Sequence, residues 1–159
     1  MQPFLNTLKD NEAVFLGLQT LYRAKGGQTN GAFALAEHPL MTPGFETPLH
    51  VHHNEDESFY IISGQVAFFV DGAWLLAGKG DFVFGPREVI HGFRVVGDTP
   101  AHMLIFCTPA GFEDFMIELS QPVGTPPGPP DMGRLLTAAA TFNIDILGPL
   151  PPHPDTLVP

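Results

Sequence analysis

The chain has 159 residues and a mass of 17.2 kDa, the usual size of one globular domain. Its 17 acidic residues outnumber 7 Lys and Arg, and the net charge of −10 argues against nucleic-acid binding because a phosphate backbone would be repelled. Apolar residues make up 44% of the chain and charged residues only 15%, which excludes a mainly disordered protein.

Two further features of the sequence favour a cytoplasmic protein that does not associate with a membrane. No segment has the roughly 18 consecutive apolar residues of a membrane-spanning helix, and the first residues lack the pattern of a secretory signal peptide. Cys107 is the one cysteine, so no intrachain disulfide can form and a reducing compartment is the default.

Short strands separated by turns are predicted to follow a loose lead-in of residues 1–12. Asp71-Gly72 is a strong hairpin signal because glycine tolerates the positive φ of a two-residue turn. About nine strands without intervening helices predict an antiparallel sandwich or barrel. The predicted extended segments are 13–24, 32–40, 49–53, 57–62, 66–70, 73–76, 81–84, 91–96 and 101–107.

Helix is predicted only after the strands. Thr108-Pro109 fits an N-cap and a first helical position, and four apolar residues then share one face. These residues are Phe112, Phe115, Met116 and Leu119.

A proline-rich segment, residues 121–130, predicts a linker between a barrel of residues 13–120 and a C-terminal segment of residues 131–159. Asp131 fits the N-cap of a second short helix. We expect residues 131–147 to dock on the barrel or on a partner subunit, because they are too apolar to stay in water. Residues 148–159 are expected to be mobile.

Four residues form a candidate metal site. His50 and His52 are two apart in a predicted strand and therefore project from the same face. Glu57 opens the next strand, which we expect to pair with the first, so the three groups would converge at adjoining strand ends. His91 opens a later strand and could supply a third imidazole. Divalent Fe, Ni, Mn, Co, Cu or Zn accepts this set of three nitrogens and one carboxylate.

The spacing Gly44-x₅-His50-x-His52-x₄-Glu57-x₆-Gly64 is similar to the first motif of the cupin superfamily at every fixed position. The similarity is specific, because it fixes five residues over a span of two predicted strands.

The second cupin motif is present in part. Gly80, Pro86 and His91 are correctly placed, whereas Glu88 and Val95 replace a glycine and an asparagine of the motif. Neither replaced residue is a metal ligand in the motif, so the departures concern turn shape. Local stretches at 52–60 and 109–113 more narrowly resemble single-domain bacterial cupins of the quercetin 2,3-dioxygenase-like kind.

The resemblance implies an all-β, cupin-type antiparallel barrel or jelly roll with short C-terminal helices, holding one divalent transition metal ion per chain. It also implies that Glu57 acts as a general base on a substrate hydroxyl. Strand alternation from Glu57 and His91 places four apolar side chains inside, where they would form a substrate pocket for an aromatic small molecule. These side chains belong to Phe59, Ile61, Phe93 and Val95.

Three functions remain open from the sequence. The first is a dioxygenase-like oxidoreductase acting on an aromatic or enol compound such as a flavonol. The second is a non-redox isomerase, cyclase or lyase in which the metal polarises a carbonyl or enolate. The third is a cupin that binds a small ligand without turnover, since a fold does not fix a function.

We expect the remaining histidines and the Glu55-Asp56 pair to have structural roles. His53 is expected in a solvated loop, His38 and His102 at the surface or hydrogen-bonded in the core, and Glu55-Asp56 in a solvated turn.

Residues 13–24 are apolar on both faces, more than one barrel wall can bury, so we also expect a homodimer.

Overall fold

The protein is built from two antiparallel β-sheets that enclose one hydrophobic core. The computed structural model describes residues 2–7, 11–126, 128 and 130–153. The strands are β1 (Glu12–Phe15), β2 (Leu18–Ala24), β3 (Ala34–Met41), β4 (Leu49–His52), β5 (Asp56–Ser63), β6 (Gln65–Val70), β7 (Ala73–Ala77), β8 (Phe82–Gly85), β9 (His91–Val96), β10 (Ala101–Thr108) and β11 (Ile144–Gly148). The helices are α1 (Gly26–Thr29), α2 (Phe112–Leu119) and α3 (Met132–Thr141).

The strand order is β1-β2-β3-β10-β5-β8 in the six-stranded sheet and β11-β4-β9-β6-β7 in the five-stranded sheet. Within the described ranges no strand ladder joins the two sheets, so the fold is an open jelly roll and not a closed ring. The all-β, jelly-roll prediction is confirmed. None of the described helices has the length and apolar character needed to cross a membrane.

The hairpin predicted at Asp71-Gly72 joins β6 to β7. Both turn residues have positive φ, 49° and 81°, which is the conformation that two-residue hairpins require. A second hairpin was not predicted, because the run 13–24 reads as one continuous apolar segment. It turns at Leu16-Gly17, where φ is 48° and 83°, and forms β1 and β2.

The apolar faces of residues 13–24 do not require a second subunit to cover them, contrary to the basis of the homodimer prediction. Phe15, Leu18, Leu21 and Tyr22 are all buried within one chain, and Phe15 contacts the ring of Phe115 on α2. The apolar faces of the segment are therefore covered without a second subunit.

The C-terminal segment docks on the sheets, as predicted, and Asp131 caps α3 by accepting a hydrogen bond from the Arg134 backbone N–H at 3.0 Å. Helix α2, however, begins at Phe112 and not at Pro109, because Gly111 provides the N-cap. Strand β11 was also missed, and it pairs with β4 in the five-stranded sheet. The boundary predicted after residue 120 therefore does not separate the β-structure from the rest.

The chain beyond β11 stays in contact with the five-stranded sheet. Leu150 is buried and its side chain lies against Gly92 of β9. The ring of His153 lies 5.2 Å from that of Trp74. Residues 150–153, which were expected to be mobile, thus contact this sheet, and residues 154–159 lie outside the described ranges.

Candidate metal centre

The structure brings the four predicted metal ligands together between the sheets. His50 and His52 lie on β4, and His91 begins the neighbouring strand β9, where it is the register partner of His50. Glu57 lies on β5, which belongs to the opposite sheet. The expected pairing of the Glu57 strand with the His50 strand is wrong, because residues 53–55 carry the chain across from one sheet to the other.

The ligand atoms have the spacing of a metal site. The Glu57 Oε2 atom lies 3.0 Å from His91 Nε2, 3.6 Å from His52 Nε2 and 4.0 Å from His50 Nε2. All ligand atoms of the four buried residues lie within 4.8 Å of one another. Groups that bind one ion at about 2.1 Å are themselves about 3–4 Å apart, so a single transition metal ion fits.

Backbone carbonyls orient two of the imidazoles. His50 Nδ1–H donates to the Pro48 carbonyl at 2.8 Å, and His91 Nδ1–H donates to the Val89 carbonyl at 2.8 Å. These bonds fix the tautomer in which Nε2 is free to bind a metal, as outer hydrogen bonds do in most histidine metal sites.

The charges of the cluster also suit a cation. Burial, reinforced by the neighbouring His91 and His52, lowers the pKa of His50 to about 3, so this imidazole is neutral at pH 7. Burial alone would raise the pKa of Glu57, but the hydrogen bond from His91 and the three imidazoles outweigh it and lower that pKa to about 2. A neutral nitrogen and an ionised carboxylate are the forms that bind metal.

His52 is held differently. Neither of its ring nitrogens has a hydrogen-bond partner among the described residues, although the ring is fully buried. Its Nδ1 atom lies 3.6 Å from Oε2 of Glu55, a second buried atom without a partner. Unpaired buried polar atoms are costly, so a cation at His52 Nε2 and a closer approach of Glu55 to Nδ1 would satisfy the group. The residues present therefore fit a metal ion.

Glu55 is a functional candidate that the sequence analysis missed. The prediction of a solvated turn is wrong for Glu55, which is 4% exposed, while Asp56 makes an ion pair with Arg87. Glu55 and Glu57 are two residues apart at the start of a strand, so the alternation that points Glu57 inward also points Glu55 inward. The alternation of side chains along the strand was therefore the sequence pattern that could have identified Glu55.

We expect Glu55→Gln to weaken Zn²⁺ binding by about tenfold, because the carboxylate that orients His52 becomes a neutral amide. Competition titration against a chelating dye measures the change. Asp56→Asn is the matched control, since Asp56 pairs with Arg87 on the exposed side and should leave the affinity unchanged. Equal affinities in the two variants would remove Glu55 from the metal site.

A mainly apolar cavity opens beside the cluster, and His50 and Glu57 form part of its wall. Of the predicted pocket residues, Phe93 lines this cavity, whereas Phe59, Ile61 and Val95 are buried in the core and are not part of its wall. Most of the wall comes from segments outside the two motifs, namely the β1–β2 hairpin, α2 and the C-terminal segment. Its apolar side chains include Phe15, Leu18, Phe45, Ile105, Phe112, Met116, Leu135, Ile144 and Ile146.

The other histidines are distributed as follows. His38 is buried and hydrogen-bonded, one of its two expected roles, but it also lines the cavity. His102 bonds Glu37 at 2.7 Å on the outer face of the six-stranded sheet. His53 lies at the surface between Glu88 and Asp145, at 2.7 and 3.0 Å.

Comparisons with known proteins agree with this geometry. Residues 40–107 match the family model described as Cupin domain. Over 73 residues the chain is 30% identical to quercetin 2,3-dioxygenase of Bacillus subtilis (strain 168). The aligned region covers 46% of this chain and 21% of that protein. Over 83 residues it is 30% identical to polyketide synthase CurC of Streptomyces cyaneus, covering 52% of each. The chain thus spans about half, or less, of these relatives.

A solved structure gives the same result for the fold. An RmlC-like cupin from Shewanella frigidimarina NCIMB 400 superposes with a TM-score of 0.60 over 72% of this chain and 96% of the other, at 22% identity. The matched region, residues 40–107, contains all four members of the cluster. The match over residues 40–107, the two-sheet architecture and the solved neighbour together show that this chain has a cupin-type jelly-roll fold.

Proposed function

We propose that the protein is a cytoplasmic, metal-dependent oxidoreductase of the dioxygenase kind that acts on an aromatic or enol small molecule such as a flavonol. The observation that carries the proposal is that the cluster of three imidazoles and a carboxylate adjoins an apolar, aromatic-lined cavity, with His50 and Glu57 in the cavity wall. The likeness to quercetin 2,3-dioxygenase supports it. The proposed metal ligands are His50, His52, Glu57 and His91, and the ion is one of divalent Fe, Ni, Mn, Co, Cu or Zn.

Each part of the site has a separate task in this proposal. A bound ion would supply a Lewis acid for a substrate oxygen and a route for reaction with O₂. Glu57, ionised at neutral pH, would accept the proton of the substrate hydroxyl at a carboxylate oxygen. The aromatic wall, with Phe93 and Phe112, would hold a flat ring and exclude water.

Oxygen consumption tests this proposal. Protein loaded separately with Fe²⁺, Ni²⁺, Mn²⁺, Co²⁺ or Cu²⁺ should consume O₂ when a flavonol is added, and under nitrogen the flavonol should perturb the Co²⁺ spectrum. Glu57→Gln should reduce turnover by about a hundredfold or more while keeping more of its metal than of its activity, because an amide oxygen can still bind but cannot take the proton. Absence of uptake and of spectral change across a phenolic panel would overturn the proposal.

The likeness to CurC favours a second candidate, a non-redox isomerase, cyclase or lyase that acts on a polyketide-like compound. Here the ion would only polarise a carbonyl or enolate. Full activity of the Zn²⁺-loaded protein under nitrogen would favour this candidate over the oxygenase. A ligand-binding cupin without turnover would bind the same compounds and convert none of them.

We also propose that the chain forms a homodimer through the outer face of the six-stranded sheet. Four aromatic side chains are exposed there, on strands β5, β8 and β10, and β8 is the edge strand of the sheet next to β5. Tyr60 and Phe82 are register partners on β5 and β8. Phe84 and Phe106 are each a register partner of Ser58, from the strands on its two sides. A self-complementary aromatic face of this kind is typical of two-fold interfaces. The four residues are Tyr60, Phe82, Phe84 and Phe106.

Light scattering at micromolar concentration should give twice the mass of one chain. Phe82→Glu, at a side chain that is 64% exposed, should shift the mass to that of a monomer because it places a charge in the interface. Leu75→Glu is the control, since Leu75 is 46% exposed but lies in the other sheet. A monomeric wild-type protein would contradict the proposed dimer.

A further inference from the structure

One polar side chain in the cavity wall is not part of the metal cluster and has an unused ring nitrogen. His38 lies on β3, is 2% exposed, and shares the cavity with His50 and Glu57. The other polar group of the wall, Thr47, already accepts a hydrogen bond from the Phe93 backbone N–H at 3.0 Å. Around these groups the wall is apolar, so His38 is the side chain outside the metal cluster that could form a hydrogen bond with a polar group of a bound molecule.

The hydrogen bonds of His38 fix its tautomer. Its Nδ1 atom lies 3.2 Å from the carbonyl oxygen of Gln19, which can only accept. The same atom lies 3.1 Å from the Thr20 hydroxyl, whose proton is donated to the Leu18 carbonyl at 3.2 Å. Both partners therefore act as acceptors, and Nδ1 must carry the proton. The Nε2 atom is left with a lone pair, and no described residue donates to it.

His38 stays neutral under ordinary conditions. Burial lowers its pKa to about 4, although the hydrogen bond to Gln19 and the charge of Glu57 act in the opposite direction. At pH 7 the ring is therefore an acceptor at Nε2 and not a second donor.

We propose that His38 Nε2 is the hydrogen-bond acceptor of a substrate subsite and selects molecules that carry a hydroxyl or N–H group away from their metal-binding oxygen. This subsite rests on the proposed function only in placing the substrate within the cavity. The ligand class is then an aromatic or other largely apolar compound with one remote donor, for example a phenol with a second hydroxyl. A molecule without that donor would exclude water from His38 Nε2 and offer no hydrogen bond in its place.

The preference for a ligand with a donor arises because shielding a polar group from water costs free energy when its hydrogen bond is not replaced. A donor that reaches His38 replaces its hydrogen bond to water by one to the protein, whereas a methyl group in the same place gains nothing from Nε2. A neutral hydrogen bond of this kind corresponds to a preference of about three- to tenfold. His38 is therefore a specificity-determining residue and is not required for metal binding.

The test uses hydroquinone and 4-methylphenol, which share one phenolic hydroxyl for the metal and differ by a second hydroxyl in place of a methyl group, on the Zn²⁺-loaded protein under nitrogen. In ¹⁵N-labelled wild-type protein, His38 Nε2 should give the signal of an unprotonated imidazole nitrogen and should shift when hydroquinone is added. Hydroquinone should bind about three- to tenfold more tightly than 4-methylphenol. His38→Leu should abolish this preference with Zn²⁺ content unchanged, and His38→Gln, which keeps a donor and an acceptor, should restore part of it.

Several results would overturn the proposal. They are a protonated Nε2 in the free protein, an unchanged preference for hydroquinone in His38→Leu, and failure of either compound to enter the cavity. The nitrogen signal is measured on the wild-type protein, so it decides the assignment even if His38→Leu does not fold. Because no oxidation takes place in these samples, a negative oxygen-uptake assay would overturn the oxygenase proposal and leave this subsite standing.

Discussion

Replacing His91 with alanine should weaken the binding of a divalent transition metal by more than about a hundredfold, since even the loss of outer hydrogen bonds reaches that size. His91 supplies one of the three Nε2 atoms around Glu57 and lies 3.0 Å from Glu57 Oε2. Its removal therefore deletes the ligand nearest to the carboxylate. Calorimetric titration with Zn²⁺ or Co²⁺ measures the affinity, and circular dichroism shows whether the sheets persist.

His53→Ala is the control for this experiment. His53 follows directly after β4 but points to the surface, where it bonds Glu88 and Asp145. Its loss should leave metal binding unchanged. Metal binding of wild-type strength in His91→Ala would show that the ion lies elsewhere.

Deleting the chain from Asp131 onward should lower the melting temperature by about 10 °C or more, because burial of a Leu or Ile side chain contributes about 1.5–3 kcal/mol and several are lost together. Leu135, Ile144 and Leu150 are among them. The deletion should also weaken metal binding, since Ile144 and Ile146 of β11 are the register partners of His52 and His50. Thermal melts with and without Zn²⁺ measure both effects.

Two neighbouring leucines of α3 provide a matched pair that leaves the chain complete. Leu135 is 3% exposed and lines the cavity, whereas Leu136 is 50% exposed. Leu135→Ala should cost about 2–5 kcal/mol of unfolding free energy, and Leu136→Ala should change it by no more than about 0.5 kcal/mol. Equal melting temperatures of the two variants would show that α3 does not hold the fold together.

The sequence is informative where the chemistry is local. Residues 49–107 alternate regularly between strands and turns, and the spacing of His50, His52, Glu57 and His91 is short enough to indicate a metal site without knowledge of the fold. Hairpins such as Asp71-Gly72 follow from the backbone freedom of glycine.

Long-range pairing could not be predicted in the same way. Whether β4 pairs with β5 or with β9 and β11 depends on how the chain crosses between the sheets, and no local pattern encodes that crossing. For this reason the convergence of Glu57 with the histidines was expected within one sheet but takes place between two. The same limit hid β11, whose residues became a strand by pairing with β4 across a long sequence separation.

Cavity residues were predicted incompletely because strand alternation gives only the inward direction. Alternation correctly indicated that Phe59 and Phe93 are buried, but it could not tell that Phe93 lines the cavity and Phe59 does not. The Leu16-Gly17 turn brings the first hairpin to the cavity, and α2 and α3 close it, so the wall is a product of tertiary packing.

Anomalous diffraction from crystals of the metal-loaded protein, recorded at the absorption edge of the ion, locates the metal directly. We expect one peak per chain, at about 2.1 Å from the Nε2 atoms of His50, His52 and His91 and from a Glu57 carboxylate oxygen. A peak at any other position, or the absence of a peak between the sheets in crystals grown with saturating metal, would contradict this prediction.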